Sequence, residues 1–113
     1  DHPVARAFEG GDFTVTDEIY QVVDPYSREK LRVLVSIDTD ETKMPDHPKL
    51  REDRDFAMSW VNSYGDGRVF YCALGHQKPV FWDPVILQHW LDGIQFVLGD
   101  LEADTTPSAK IEE

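Results

Sequence analysis

The sequence predicts an α/β fold with about four strands, a β-hairpin and one long C-terminal helix. Apolar runs are typical of buried strands, glycine pairs close hairpins, and an Asp-Pro start with a glycine end delimits a helix. These signals are the apolar run 31–37, the turn sequence Gly65-Asp66-Gly67 between residues 56–64 and 68–74, and the helical pattern from Asp83-Pro84 to Gly99.

Three further segments precede the hairpin. Residues 12–23 mix β-branched and aromatic residues, which predicts one or two strand pieces. Asp24-Pro25-Tyr26-Ser27 predicts a turn. Residues 38–55 carry seven acidic residues, four basic residues and two prolines, and they predict a long solvated loop. Residues 31–37 are expected to be a strand buried on both faces.

The predicted hairpin is apolar on both faces. One face carries Val61, Phe70, Cys72 and Leu74, and the other carries Met58, Trp60, Val69, Tyr71 and Ala73. Such a strand pair has to be covered on both sides, and a single helix covers only one. The sequence therefore predicts an incomplete domain or a domain that relies on a partner.

The helical pattern has an apolar stripe at three- and four-residue spacing, formed by Leu87, Trp90, Leu91, Ile94, Val97 and Leu98. His89 falls on the opposite face, so we expect it to be solvated. Beyond Gly99 the chain is acidic and contains Thr, Pro and Ser. Residues 1–99 are therefore predicted to be the folded part, and residues 100–113 a disordered acidic tail.

Charge excludes some partners. The chain has 113 residues, and its 22 Asp and Glu against 11 Lys and Arg give a net charge of −11. An acidic chain is a poor match for nucleic acid phosphates or an anionic membrane surface. No apolar run approaches the roughly 20 residues that span a bilayer. No leader peptide is visible in this segment, which leaves cytoplasmic and secreted locations both open.

A series of short motifs resembles a known family. In order they are His2-Pro3, Asp17-Glu18-Ile19-Tyr20, Val33-Leu34-Val35, Trp60-Val61, Tyr64-Gly65, Gly67-Arg68-Val69-Phe70-Tyr71, Ala73-Leu74-Gly75-His76, Asp83-Pro84, Gly93-Ile94 and Leu98-Gly99. They resemble the ThuA-like family of trehalose utilisation. Phe96 stands where that family often has tryptophan, and residues 77–82 and 38–55 match no family pattern.

The resemblance implies the C-terminal half of a flavodoxin-like, three-layer domain of the class I glutamine-amidotransferase type. It implies that an N-terminal half, or a second copy in a homo-oligomer, completes the domain and adds site residues. It also implies a small-molecule sugar as the ligand. Glutamine amidotransferase activity is not expected, because the family is not known to keep that nucleophile.

His76 and Glu18 are the candidate catalytic residues. His76 follows a predicted strand and a glycine, and open α/β sheets place ligand sites at strand ends. The resemblance places it in the region of the amidotransferase catalytic histidine. A neighbouring carboxylate, Glu18 before Asp17, would orient the imidazole. The structural alternatives are a histidine that fixes a loop, and a glutamate that solvates a strand edge or pairs with Arg68.

Tyr20, Arg68 and Gln77 are the candidate substrate-binding residues. Tyr20 can stack on a sugar or donate a hydrogen bond, or it can be a buried tyrosine with a satisfied hydroxyl. Arg68 can hold an anionic group or pair with an acidic side chain. Gln77 directly follows His76.

The aromatic pair and the single cysteine of the hairpin are predicted to belong to the core. Trp60 and Tyr71 share a face, and an aromatic pair across two strands is usually core packing, with a sugar platform as the alternative. Cys72 lies mid-strand, whereas a catalytic thiolate needs an exposed, electropositive position.

No cofactor is predicted. The four histidines, His2, His47, His76 and His89, do not have a metal-ligand spacing, and a divalent metal at His76 is an alternative that is not favoured. The acidic residues Asp38, Asp40 and Glu41 lack the spacing of an EF-hand.

Two functions follow from the resemblance. The first is an enzyme of carbohydrate catabolism, a hydrolase or isomerase that acts on trehalose, a related disaccharide or an oxidised sugar. The second is a non-catalytic carbohydrate-sensing or interaction module. Fold alone does not decide between them.

Overall fold

The structure is a computed structural model that describes residues 1–44 and 50–112. Its elements are a first 3₁₀ helix (Pro3–Phe8), strands β1 (Arg32–Ser36), β2 (Ala57–Tyr64) and β3 (Gly67–Cys72), helices α1 (Lys78–Phe81) and α2 (Pro84–Leu98), and a second 3₁₀ helix (Ser108–Lys110). The strands form one antiparallel sheet in the order β1-β2-β3. The α/β class is confirmed, and the arrangement is compatible with part of a flavodoxin-like domain. None of the helices in the described ranges is long and apolar enough to cross a membrane.

The hairpin forms as predicted. Tyr64 pairs with Gly67 across the two-residue turn Gly65-Asp66, and Gly65 adopts the left-handed φ of 56° that glycine tolerates best. Trp60 lies opposite Tyr71 and Val61 lies opposite Phe70. Because opposite residues of an antiparallel pair share a face, the two predicted faces are confirmed.

Helix α2 has the predicted ends but not the predicted orientation. The Asp83 side chain accepts the Val85 N–H at 2.8 Å, and Gly99 ends the helix at a φ of 87°. The buried residues are Ile86, His89, Asp92, Gly93 and Phe96, whereas Leu91, Ile94, Val97 and Leu98 of the predicted stripe are exposed. The expectation that His89 is solvated is therefore wrong.

Hydrogen bonds explain why α2 buries polar side chains. His89 Nδ1 lies 2.7 Å from the Val4 carbonyl oxygen, which can only accept, so Nδ1 carries the proton. His89 Nε2 lies 2.8 Å from Ser59 Oγ. Arg6 donates to both carboxylate oxygens of Asp92, at 2.7 and 3.0 Å. Buried polar groups are tolerated when they are hydrogen-bonded. The bonds from Val4 and Arg6 join the first 3₁₀ helix to α2, and the bond from Ser59 joins β2 to α2.

Two small clusters of buried residues in the described part of the chain include residues of α2. In the first, the buried residues Val4, Val61 and Phe96 are packed by Leu34, Phe70, Leu101 and Ala103. In the second, the buried residues Leu74, Val80 and Ile86 are packed by Phe8, Cys72 and Trp90. The second cluster contains residues on both sides of the Gly75-His76 loop, so it supports that loop.

The other face of the sheet is only partly covered by the chain itself. Met58 is buried, Trp60 and Tyr71 are half-buried, and Val69 is exposed. The Tyr26 ring lies 6.2 Å from the Trp60 ring. Strand β1 is half-buried along most of its length, which corrects the expectation of a strand buried on both faces.

Residues 12–23 are extended but pair with no strand in the described part of the chain, which corrects the predicted strand pieces. Side-chain contacts hold this segment in place instead. The Arg51 guanidinium donates to the Val22 carbonyl oxygen, and the Phe13 ring stacks on the Phe8 ring with centroids 4.5 Å apart. The turn at Asp24-Pro25 is confirmed, and residues 38–44 and 50–55 contain no helix or strand, as predicted.

The tail is packed, although the sequence predicts disorder from residue 100 onwards. Leu101 and Ala103 contact the first core cluster. The Ser108 N–H donates to the Leu31 carbonyl oxygen at 2.9 Å, and the Ser108 hydroxyl accepts the Val33 N–H at 2.8 Å. These bonds pair backbone groups at the free edge of β1. The polar residues of the tail therefore cover an edge strand and do not indicate disorder.

We predict that Gly93→Ala destabilises the fold. An alanine Cβ at this position would clash with the Phe70 ring, so the ring would have to turn or the helix would have to move away from it. We expect the free energy of unfolding to fall by about 1–3 kcal/mol, although alanine favours a helix over glycine by about 1 kcal/mol. Urea denaturation measures the change, with Gln95→Ala on the same helix as the control. A variant as stable as the wild type would contradict this close packing.

We also predict that folding stability falls when His89 takes up a proton. Burial lowers the pKa of His89 below its usual 6.5. The unfolded chain therefore binds a proton near pH 6.5 that the folded chain resists, so stability is complete above this pH and is lost as the pH falls toward the folded pKa. The slope per histidine is at most about 1.4 kcal/mol per pH unit.

Urea denaturation between pH 7.5 and 5 measures this slope. Burial also lowers the pKa of His2, which contributes in the same direction, so the decisive comparison is between wild type and His89→Gln. We expect the variant to have the shallower pH dependence. Equal slopes would show that His89 does not carry the effect.

Candidate functional site

The loop that carries His76 begins where β3 has ended. Leu74 is buried, and its carbonyl oxygen accepts the Trp90 indole N–H at 3.1 Å. Gly75 has a φ of 123°, and a Cβ there would lie 3.1 Å from the Phe81 ring. Only glycine meets both conditions without strain. The strand end, the helix α2 and the Phe81 side chain thus define the position from which His76 projects.

The structure brings the two candidate catalytic side chains together. His76 Nε2 lies 2.9 Å from Glu18 Oε2, and each side chain keeps 48% of its surface exposed. The two residues come from segments that are far apart in the sequence. A histidine can accept and donate a proton, and a carboxylate at this distance fixes the orientation of its ring. The pair is therefore both reachable by a ligand and suited to proton transfer.

Asp17 links the two segments of the site. Its carboxylate accepts the backbone N–H of Gly75 at 2.7 Å, of Gln77 at 2.9 Å and of Glu18 at 2.9 Å. Partial burial by itself raises the pKa of Asp17, but these backbone hydrogen bonds outweigh it and hold the pKa below its ordinary value. Sequence reasoning ranked Asp17 below Glu18, because nothing in the sequence indicates that one carboxylate meets several backbone donors.

Tyr20 lies next to the pair. The negative charge of Glu18 raises the pKa of the Tyr20 hydroxyl, and a hydrogen bond from that hydroxyl to Glu18 adds to the effect. The ring itself is about half exposed. Glu18 thus interacts with both a phenol and an imidazole.

Gln77 and Arg68 are placed differently from each other. Gln77 follows His76, is exposed and stands before the first residue of α1. Arg68 lies at the far end of β3, where it donates to both oxygens of Glu102 and to the Phe96 carbonyl oxygen. The structure does not bring Arg68 to His76, and it gives the guanidinium a partner in the tail.

Helix α1 ends in two consecutive aromatic residues, Phe81 and its C-cap Trp82, that sequence reasoning did not select. The Phe81 and Trp82 rings meet edge to face at 5.7 Å, and Trp82 is 69% exposed. The sequence signal was present, since an aromatic pair follows His76 closely, but residues 77–82 match no motif that we could identify.

The hairpin aromatics and Cys72 behave as packing residues. Trp60 and Tyr71 stack at 4.0 Å, and both are half-buried. Cys72 packs in the second core cluster, and burial raises the pKa of its thiol to about 11. A thiol with this pKa is almost entirely protonated near neutral pH and is a poor nucleophile.

The described residues contain no group of three or more His, Cys, Asp or Glu side chains that could hold a metal ion. His47 lies outside the described residues. Asp38 accepts the backbone N–H groups of Asp40 and Glu41, at 2.9 and 3.2 Å, and so caps a turn.

A surface cavity of about 410 Å³ lies elsewhere, lined by Gln21, Val23, Asp24, Arg51, Glu52 and Asp53. Its lining includes neither Glu18 nor His76. Arg51 there is already paired with Asp53. Proton-transfer chemistry therefore points to the Glu18–His76 pair rather than to this cavity.

Comparison with protein families gives a match that covers most of the chain. A family model described as ThuA, trehalose utilisation, matches residues 1–97. The match includes Glu18, His76 and nearly all of α2. No curated protein and no solved structure matches the sequence.

The buried thiol of Cys72 gives a prediction about its reactivity. With a pKa of about 11, the thiolate fraction at pH 8 is on the order of one in a thousand. We expect iodoacetamide to label the folded protein at least about tenfold more slowly than the protein in urea, where the thiol has its usual pKa of about 8.5. Mass spectrometry of the labelled protein measures both rates. Equal rates would place Cys72 in an exposed, reactive position.

Proposed function

The chain belongs to the ThuA family of trehalose utilisation, and from this membership we propose that it acts on trehalose or a related disaccharide, with Glu18 and His76 as its acid/base pair. The observation that carries the proposal is the 2.9 Å contact between Glu18 Oε2 and His76 Nε2, with both side chains half exposed. An exposed, carboxylate-oriented imidazole is what proton transfer to and from a bound sugar requires.

The contact assigns a role to each ring nitrogen. Because the carboxylate of Glu18 accepts a hydrogen bond, it holds a proton on Nε2 of His76. Nδ1 is then the atom that exchanges a proton with the ligand, as a base in the neutral ring and as an acid in the imidazolium. Glu18 orients the ring and stabilises its positive charge, which is the role of the acid in a catalytic triad.

Both candidate reactions, hydrolysis of a disaccharide and isomerisation of an oxidised sugar, need such a group. Hydrolysis of a glycosidic bond requires a proton on the leaving oxygen while water supplies the hydroxyl. Isomerisation of an oxidised sugar requires removal of a proton next to a carbonyl group and its return at a neighbouring atom. General acid/base catalysis of this kind contributes about 10²- to 10⁴-fold to a rate.

The surroundings of the pair support a sugar as the ligand. The Tyr20 ring is half exposed beside Glu18, and Trp82 is exposed at the end of α1, the short helix that follows His76. Aromatic faces combine a large apolar area with a polar edge, and this suits the mixed surface of a pyranose ring. We propose that these two rings form the platform on which the sugar lies, with Gln77 as a further hydrogen-bonding residue.

The experiment compares wild type with His76→Gln, Glu18→Gln and Glu102→Gln in the full-length protein. Glu102→Gln is the matched control, because Glu102 is also paired with a cationic side chain but at the far end of β3. The substrates are trehalose and its oxidised, keto-bearing derivative, and product sugars are followed by NMR. We expect each of the first two variants to lose about 10²- to 10⁴-fold in rate, with the control unchanged.

Other outcomes redirect the proposal. Binding of the sugar by wild type without turnover would favour the non-catalytic carbohydrate-sensing module. Full turnover by His76→Gln would show that the histidine only fixes its loop. Thermal unfolding of each variant confirms that a loss of rate is not a loss of fold.

A further inference from the structure

We propose that Asp17 is a positioning residue that sets the geometry of the Glu18–His76 pair. It is not a catalytic residue, since it acts on the backbone that carries the pair. The inference rests on the proposed acid/base function of the pair, which it deepens.

Hydrogen bonds from Asp17 reach both sides of His76. Asp17 Oδ2 accepts the Gly75 N–H at 2.7 Å, and Oδ1 accepts the Gln77 N–H at 2.9 Å. Gly75 and Gln77 are the immediate neighbours of His76 in the chain. The loop is therefore held before and after the imidazole by a single carboxylate.

The same carboxylate also holds the other partner of the pair. Asp17 Oδ1 accepts the backbone N–H of Glu18 at 2.9 Å. The segment that carries Glu18 is extended and pairs with no strand among the described residues, so sheet hydrogen bonds do not fix its distance from His76. Asp17 supplies that constraint through three backbone donors.

The loop needs an external constraint for two reasons. Gly75 has a φ of 123°. Glycine adopts many other backbone conformations as readily, so its own preference does not fix the loop. Gln77 stands before the four-residue helix α1 without making a side-chain cap bond of its own. A carboxylate from another segment therefore takes the place of local hydrogen bonds.

Only an ionised carboxylate meets these three donors well. Its two oxygens offer about four acceptor sites and no hydrogen. An asparagine would direct two N–H hydrogens at backbone N–H groups, so one end of the contact would become repulsive. A glutamate would keep the charge but would place the oxygens one methylene further away.

The test uses Asp17→Asn in the full-length protein with Asp38→Asn as the matched control. Asp38 also accepts two backbone N–H groups, but both belong to its own turn after β1. The first measurement is amide hydrogen exchange at Gly75 and Gln77 by NMR. We expect exchange about 10- to 100-fold faster in Asp17→Asn and unchanged in Asp38→Asn, because charge-assisted hydrogen bonds protect these amides.

The second measurement is the NMR chemical shift of the His76 ring nitrogens, which reports on the hydrogen bond from Nε2 to Glu18. If Asp17 maintains the contact, this chemical shift in Asp17→Asn moves from its wild-type value toward that of Glu18→Gln. A role confined to folding would leave the chemical shift at its wild-type value. This readout does not depend on turnover, so a protein without disaccharide activity would refute the proposed function and still test Asp17.

The third measurement is kinetic. We expect kcat to fall about 10- to 100-fold with little change in KM, because a small displacement of a reacting group has this effect on rate. The double variant Asp17→Asn/Glu18→Gln should be no slower than Glu18→Gln alone. Faster exchange with unchanged chemical shifts of the His76 ring nitrogens and unchanged kcat would overturn the proposal, and so would unchanged exchange.

A variant that fails to fold is recognised by circular dichroism, and Asp17→Glu then takes its place. This variant keeps the negative charge and displaces only the oxygens. We expect it to lower kcat and alter the chemical shifts of the His76 ring nitrogens to a smaller extent. Wild-type values in both would overturn the proposal.

Discussion

The structure depends on the buried polar contact between the first 3₁₀ helix and α2. The buried face of α2 carries His89 and Asp92, which are hydrogen-bonded to the Val4 carbonyl oxygen and the Arg6 guanidinium respectively. These bonds fix the rotation of α2 about its own axis. Gly93 then lies against Phe70, and the helix approaches β3 more closely than any side chain at that position would permit.

This rotation of α2 carries through to the site. Trp90 follows His89 and donates its indole N–H to the Leu74 carbonyl oxygen, which anchors the chain just before the Gly75 turn. On the far side of that turn, the Phe81 side chain occupies the space that a Cβ on Gly75 would need. The contacts of α2 therefore fix the chain just before His76, and Asp17 fixes the backbone on both sides of it.

Local signals in the sequence predicted the elements whose causes are local. The two-residue turn at Gly65-Asp66 and the capped ends of α2 depend on neighbouring residues, and both form as expected. The side of α2 that is buried, the extended course of residues 12–23 and the packing of the tail depend on partners distant in the sequence. An apolar stripe such as the one containing Leu91 and Ile94 identifies a helix, but it does not reveal that hydrogen-bonded polar residues occupy the opposite, buried face.

The residues of the candidate site also differ in how far the sequence could predict their roles. The chemistry of histidine and glutamate was enough to expect Glu18 beside His76, since each makes the other more useful, and the two side chains lie 2.9 Å apart. Arg68 has the right chemistry for an anionic ligand, but it lies near the start of β3, whereas His76 follows the end of that strand. Residue type alone does not distinguish the two ends. Asp17 was undervalued because its importance lies in backbone donors rather than in a side-chain partner. A carboxylate that accepts several backbone N–H groups becomes recognisable only when the loop conformation is known, so positioning residues are the part of such a site that a sequence conceals most.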